Sequence, residues 1–125
     1  MLRQIVFFCL MISVSSAFSQ QQTISALKKN DARALSALFT EEVDLSFDDQ
    51  GDRMSRPDAN RKLESFFASN RIISFASSHT GKAPDNRSFF SIGNAKTAGK
   101  TYRVYIKYSI VNGNELVKEI RFDTL

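Results

Sequence analysis

At 125 residues the chain holds one domain at most. Hydrophobic residues at 42% against 24% charged residues suffice for a core, which excludes a disordered tail. Seventeen Lys and Arg against thirteen Asp and Glu give +4, and one Cys with one His excludes a disulfide scaffold and a Cys/His zinc site.

The chain opens on a short basic start, Met1-Leu2-Arg3-Gln4, and a continuous apolar run from Ile5 to Ile12. Small residues follow from Ser13 to Ser19. This order predicts a secretory signal peptide over residues 1–19, with cleavage after Ser19 or, as second choice, after Ala17. The run is too short to cross a bilayer and has no amphipathic period, which argues against a buried N-terminal helix. Cys9 leaves with the leader, so the mature chain has no thiol and no transmembrane segment. Without Arg3, sixteen basic groups face thirteen acidic ones, with the signs interspersed. That pattern and export both exclude nucleic acid as a partner.

Gln20-Gln21-Gln22 reads as a frayed start, and Thr23 to Phe39 as two short helices meeting at Asn30, with Asp31 the N-cap of the second. Thr40-Glu41-Glu42 ends that helix. Val43, Leu45 and Phe47 alternate with Asp44, Ser46 and Asp48, the pattern of a half-buried strand. Asp49-Gln50-Gly51-Asp52 is a turn, and Arg53-Met54 a short return strand. The acidic turn lacks the spacing and closing Glu of a helix–loop–helix calcium site. Ser55 caps the next helix, with Pro57 in its first turn. Ala59, Leu63, Phe66 and Phe67 form its apolar stripe, and it stops near Ser69-Asn70.

Four strands follow: Ile72 to His79, Ser88 to Lys96, Thr101 to Val111 and Glu115 to Thr124. Between the first two lies a turn, Gly81 to Arg87, with Pro84-Asp85-Asn86 at its centre. For the last hairpin a three-residue turn, Asn112 to Asn114, pairs Val104 with Phe122, Ile106 with Ile120 and Ile110 with Leu116. Its other face pairs Arg103 with Asp123, Tyr105 with Arg121 and Lys107 with Glu119. A two-residue Asn112-Gly113 turn instead sets charges against apolar residues, and a one-residue slip moves every side chain to the other face. The three-residue register is therefore expected. It places Tyr108 opposite Lys118, either a polar handle at a pocket mouth or a lysine reaching past the sheet edge.

Helix–helix–strand, a helix ending in Phe66-Phe67 and four antiparallel strands together resemble the nuclear transport factor 2-like (cystatin-like α+β) superfamily. Several stretches are similar to a family of small exported bacterial proteins known only as a domain of unknown function. They include Asn30-Asp31-Ala32-Arg33-Ala34-Leu35, Val43-Asp44-Leu45, Glu64-Ser65-Phe66-Phe67, His79-Thr80-Gly81-Lys82 and Tyr102-Arg103-Val104-Tyr105. The resemblance implies an α+β fold over residues 20–125: a curved antiparallel sheet of four main strands and a short N-terminal hairpin, wrapped around a helix into a cone. It implies no activity. It does imply a homodimer through the outer sheet face, because curved sheets of the superfamily pack that way.

Catalytic relatives in that superfamily, of the ketosteroid isomerase-like and cyclase-like kind, hold an acid/base pair deep in the cone. The parts here are Tyr108, Lys118, His79 and Tyr102, the pocket candidates, with Asp44 turned outward. No spacing forces two of them together. No Gly-x-Ser-x-Gly elbow and no glycine-rich phosphate loop is present. The residues therefore lean away from an enzyme, with no cofactor and no metal expected. They lean toward a module, periplasmic or secreted, that binds a small ligand or an envelope protein; a structural envelope role is the further alternative.

Overall fold

The computed structural model describes residues 15–82, 84 and 87–125, with side chains from residue 19 onward. The elements in chain order are α1 (Ser15–Lys28), α2 (Ala32–Ser36), β1 (Phe39–Phe47), β2 (Gln50–Ser55) and α3 (Arg56–Ser69). Four long strands follow: β3 (Ile72–Lys82), β4 (Ser88–Thr97), β5 (Thr101–Val111) and β6 (Asn114–Thr124). Of the expected leader, residues 1–14 lie outside the described residues, and Ser15 to Ser19 belong to α1. Gln20 to Gln22 are therefore helical rather than frayed. The turn expected at Pro84-Asp85-Asn86 falls largely outside the described residues, and β3 runs on through Gly81 and Lys82.

Helix ends follow local chemistry. Asn30 takes a positive φ of 54°, and the Asp31 carboxylate accepts from Ala34 N at 3.0 Å, so the break between α1 and α2 lies where an N-cap demands it. Asn30 also exchanges two hydrogen bonds with the Ile72 backbone, at 2.7 and 2.9 Å, which ties this break to the start of β3. Ser55 caps α3 and accepts from Asp58 N at 3.4 Å. Ala59, Leu63, Phe66 and Phe67 are all buried. The second helix is shorter than its apolar spacing suggests. Phe39 and Thr40-Glu41-Glu42 lie in β1, because Phe39 pairs with Val117 and Val117 N donates to Leu38 O at 2.7 Å. That partner is far away in sequence.

The sheet is curved and open, with order β2-β1-β6-β5-β4-β3. The N-terminal hairpin is thus not separate from the four expected strands. It joins them through a parallel β1–β6 pairing, and the sheet is mixed and six-stranded. One face is buried beneath α1 and α3 and carries Val43, Leu45, Val104, Ile106, Tyr108, Ile120 and Phe122. Gly93 lies on this face, where a Cβ would stand 2.5 Å from the Phe75 ring, so only glycine lets that ring seat.

Phe66 is the centre of the aromatic packing. Its ring centroid lies 4.6 Å from Phe47, 4.8 Å from Phe122, 5.2 Å from Tyr102 and 5.9 Å from Phe67. One helix is thereby fixed to β1, β5 and β6 together. The β1–β2 turn adds a second tie: Asp48 accepts from Thr124 N at 2.6 Å and from the Thr124 hydroxyl at 2.8 Å, and Asp48 N donates to Phe122 O at 2.8 Å.

In the last hairpin Val104–Phe122, Ile106–Ile120, Arg103–Asp123, Tyr105–Arg121 and Lys107–Glu119 pair in the three-residue register. Nearer the turn the register changes. Tyr108 faces Val117, and Ile110 faces Glu115, not Leu116. Lys118 is the unmatched residue of a bulge, so the expected Tyr108–Lys118 pair does not exist. Asn112 and Gly113 both have positive φ, 51° and 79°, the two-residue turn whose twist matches that of the strands. That turn and the apolar phase of the far half differ by one residue, and the bulge absorbs the difference.

Truncating Phe66→Ala is expected to lower stability by about 3–5 kcal/mol in urea unfolding, the range for a buried aromatic. The Thr124 backbone N–H, then its hydroxyl, holds the Asp48 carboxyl below its ordinary pKa. Its contribution is therefore full above the ordinary Asp value of about 3.9 and is lost as pH falls through the lower folded-state value. Wild type is expected to exceed Asp48→Asn in stability near neutral pH. The gap should close below about pH 3.9 when the unfolding midpoint is followed against pH.

Candidate functional site

The structure separates the four pocket candidates. Tyr102 is buried, and its hydroxyl donates to Asn70 Oδ1 at 3.0 Å. Asn70 N donates in turn to Phe66 O at 2.7 Å, so Tyr102 secures the C-terminal end of α3. Tyr108 lies on the same face of β5, six residues further on, or about 20 Å along an extended strand. His79 is on the opposite face, its ring 5.6 Å from that of Phe90. Lys118, expelled by the bulge, is exposed. No two of them meet. Asp44 faces outward as expected and accepts from Arg53 Nε at 3.2 Å.

What surrounds Tyr108 was not legible in the pattern of residues. The side chain is fully buried, and its hydroxyl has no partner in hydrogen-bond geometry. Burial pushes the phenol pKa up; the nearby Thr23 and Ser91 hydroxyls pull it down, and the Glu115 carboxyl raises it again. Burial also pushes the Glu115 carboxyl up, and its Oε1 has no partner either. These groups come from α1, β4, β5 and β6. The only usable hint was helical spacing: Thr23 precedes the buried Leu27 by one turn.

Two open surfaces offer more. On the outer face of the sheet a row runs across β3 to β6: His79, Phe90, Tyr105 and Arg121. The Phe90 and Tyr105 rings stack 6.2 Å apart at 19°, and the Arg121 guanidinium lies 4.4 Å over the Tyr105 ring. Glu119 stands 4.0 Å from Arg121 Nε, which has no hydrogen bond. Tyr105 opposite Arg121 follows from the hairpin register; Phe90 joining them does not. The second surface is a cleft of 780 Å³ between β2 and α3. Glu42, Asp52 and Asp58 line it together with Arg53, Arg61 and Lys62. Arg61 pairs with Asp58 within the cleft, and Arg53 reaches out of it to Asp44. A smaller apolar cleft of 370 Å³, with Leu45, Phe47 and Met54, shares Asp52 and Lys62 with it.

Among the described residues no three His, Cys, Asp or Glu side chains converge as a metal site, and no helix is long and apolar enough to cross a membrane.

Residues 20–123 match the model of a domain of unknown function, DUF4783. The crystal structure of a DUF4783 family protein from Bacteroides ovatus is 27% identical and superposes with a TM-score of 0.78, covering 83% of this chain and 93% of that one. One from Bacteroides fragilis is 29% identical with a TM-score of 0.77, covering 83% and 96%. A protein of unknown function with a cystatin-like fold from Nostoc punctiforme is 9% identical with a TM-score of 0.65, covering 89% of each chain, a likeness of fold alone. Curated proteins give no match.

Removing the Tyr108 hydroxyl with Tyr108→Phe is expected to leave the full-length chain as stable or slightly more stable, since no bond is lost. Tyr102→Phe should cost about 0.5–1.5 kcal/mol, the worth of its bond to Asn70, both read as shifts in urea midpoint.

Proposed function

The chain belongs to the DUF4783 family, and on that premise we propose a non-catalytic, exported binding module that meets a protein partner through the outer face of its sheet. The observation that carries this reading is the Phe90–Tyr105–Arg121 row, a half-buried aromatic and cationic surface on the one sheet face that α1 and α3 leave uncovered. Aromatic residues and Arg are the types enriched where proteins meet. Arg103, Lys107 and Arg121 share this face with Asp44, Glu119 and Asp123, so the surface carries both signs, as a contact between two copies about a two-fold axis requires. A second copy of the chain is the partner it fits.

Export is supported by the basic start, apolar run and small residues of the first nineteen positions, and by the family match beginning at Gln20. A catalytic reading gains nothing from the dispersal of His79, Lys118, Tyr102 and Tyr108. Small-ligand binding has one specific observation behind it, the adjoining polar and apolar clefts beside α3.

Sedimentation of the exported protein at micromolar concentration is expected to give a dimer, and Tyr105→Glu a monomer with unchanged circular dichroism. A wild-type monomer under those conditions overturns the dimer. N-terminal sequencing of the exported form is expected to begin at Gln20.

A further inference from the structure

The two clefts beside α3 have three lining residues in common, Asp52, Met54 and Lys62. Strand register explains two of them. Asp52 lies opposite Leu45 and Met54 opposite Val43. Leu45 and Val43 are buried on the inner face of the sheet, and residues directly opposite share a face, so Asp52 and Met54 are turned toward α3. Lys62 comes from α3 itself, next to the buried Leu63. The smaller cleft, of 370 Å³, thus has the β1–β2 hairpin as one wall and Lys62 on the other, over an apolar floor of Leu45, Phe47 and Met54. Ring stacking holds Phe47 against Phe66 and Phe122, at 4.6 and 5.2 Å, so this floor exists before anything binds to it. Its volume falls in the range of small-molecule pockets, about 300–1,000 Å³.

The charges around the floor are not equivalent. Arg61 is engaged by Asp58, Arg53 is turned away to Asp44, and Glu42 lines only the larger cleft. Asp52 and Lys62 enter none of the ion pairs among the described residues, and both are exposed. One Asp52 oxygen accepts from Arg53 N at 2.8 Å, which leaves the other open. The apolar floor is therefore bordered by one carboxylate and one ammonium, from opposite walls. Resting on the small-ligand reading of these clefts, the geometry points to a site for a free α-amino acid with an apolar side chain. The side chain lies on Leu45, Phe47 and Met54, the ligand ammonium meets Asp52, and the ligand carboxylate meets Lys62. A simple anion would set its charge beside Asp52, and a simple cation beside Lys62; a zwitterion suits both. In an α-amino acid both charged groups are attached to the carbon that bears the side chain, which matches two opposite charges at the rim of one apolar floor.

The test titrates the ¹⁵N-labelled exported protein with L-phenylalanine and L-leucine and follows the backbone amides by NMR. Saturable shifts are expected at Asp52, Met54 and Lys62. 3-Phenylpropanoate lacks the ammonium and phenethylamine lacks the carboxylate; each is expected to bind about fivefold more weakly than L-phenylalanine. Asp52→Asn should abolish the preference for L-phenylalanine over 3-phenylpropanoate, and Lys62→Gln the preference over phenethylamine, both with the urea midpoint unchanged. A preference that survives both substitutions overturns the inference. Equal binding of the three phenyl compounds, with shifts at the same residues, also overturns it and leaves a small-ligand cleft standing. The absence of saturable shifts there with every compound overturns the inference and the small-ligand reading together, and leaves the dimer to be judged by sedimentation.

Discussion

The structure depends on the parallel pairing of β1 with β6. Without it the N-terminal hairpin has no neighbour, and α3, which follows that hairpin directly, has no fixed position over the sheet. With it, Leu45 lies beside Ile120 and Phe47 beside Phe122, and the Phe47 and Phe122 rings stack 5.2 Å apart. Phe66 then closes over both. The Asp48 contacts to Phe122 and Thr124 pin the far end of the same seam. Strand pairing, aromatic packing and helix placement are therefore one event rather than three. A pairing between residues about 75 positions apart carries a loop-closure penalty that grows only slowly with length, so it is thermodynamically accessible once the aromatic cluster forms.

That arrangement determines where chemistry is possible. The inner face is taken up by packed apolar side chains, and Tyr102 and Tyr108 serve or strain that packing in different ways. Tyr102 finds Asn70 and locks a helix end; Tyr108 is sealed in with an unserved hydroxyl beside Glu115. His79 and Lys118 lie elsewhere. What remains open is the outer sheet face, with its aromatic and charged row, and the cleft alongside α3.

Much of this was legible in the residues. The caps at Asp31 and Ser55, the Ala59-Leu63-Phe66-Phe67 stripe and the four C-terminal strands are local, set by spacing and by side chains acting on their own backbone. Five cross-strand pairs of the last hairpin followed from matching charge to charge and apolar to apolar. The bulge at Lys118 did not, because it reconciles two local demands, the twist of an Asn-Gly turn and the phase of the strands beyond it, that pattern matching treats as alternatives. Phe39 to Glu42 read as helix for a related reason: helical spacing continues into them, and only contact with Val117 makes them a strand.

The caps at Asp31 and Ser55, the apolar stripe of α3 and the alternation of the long strands are written in the residues themselves, because they depend on neighbours a few positions away. Contacts between distant segments make the sheet six-stranded and mixed, bury Tyr108 and Thr23, and gather Phe90, Tyr105 and Arg121 into one row. Those groupings join residues from different elements, and their energy exists only once the strands have chosen their partners.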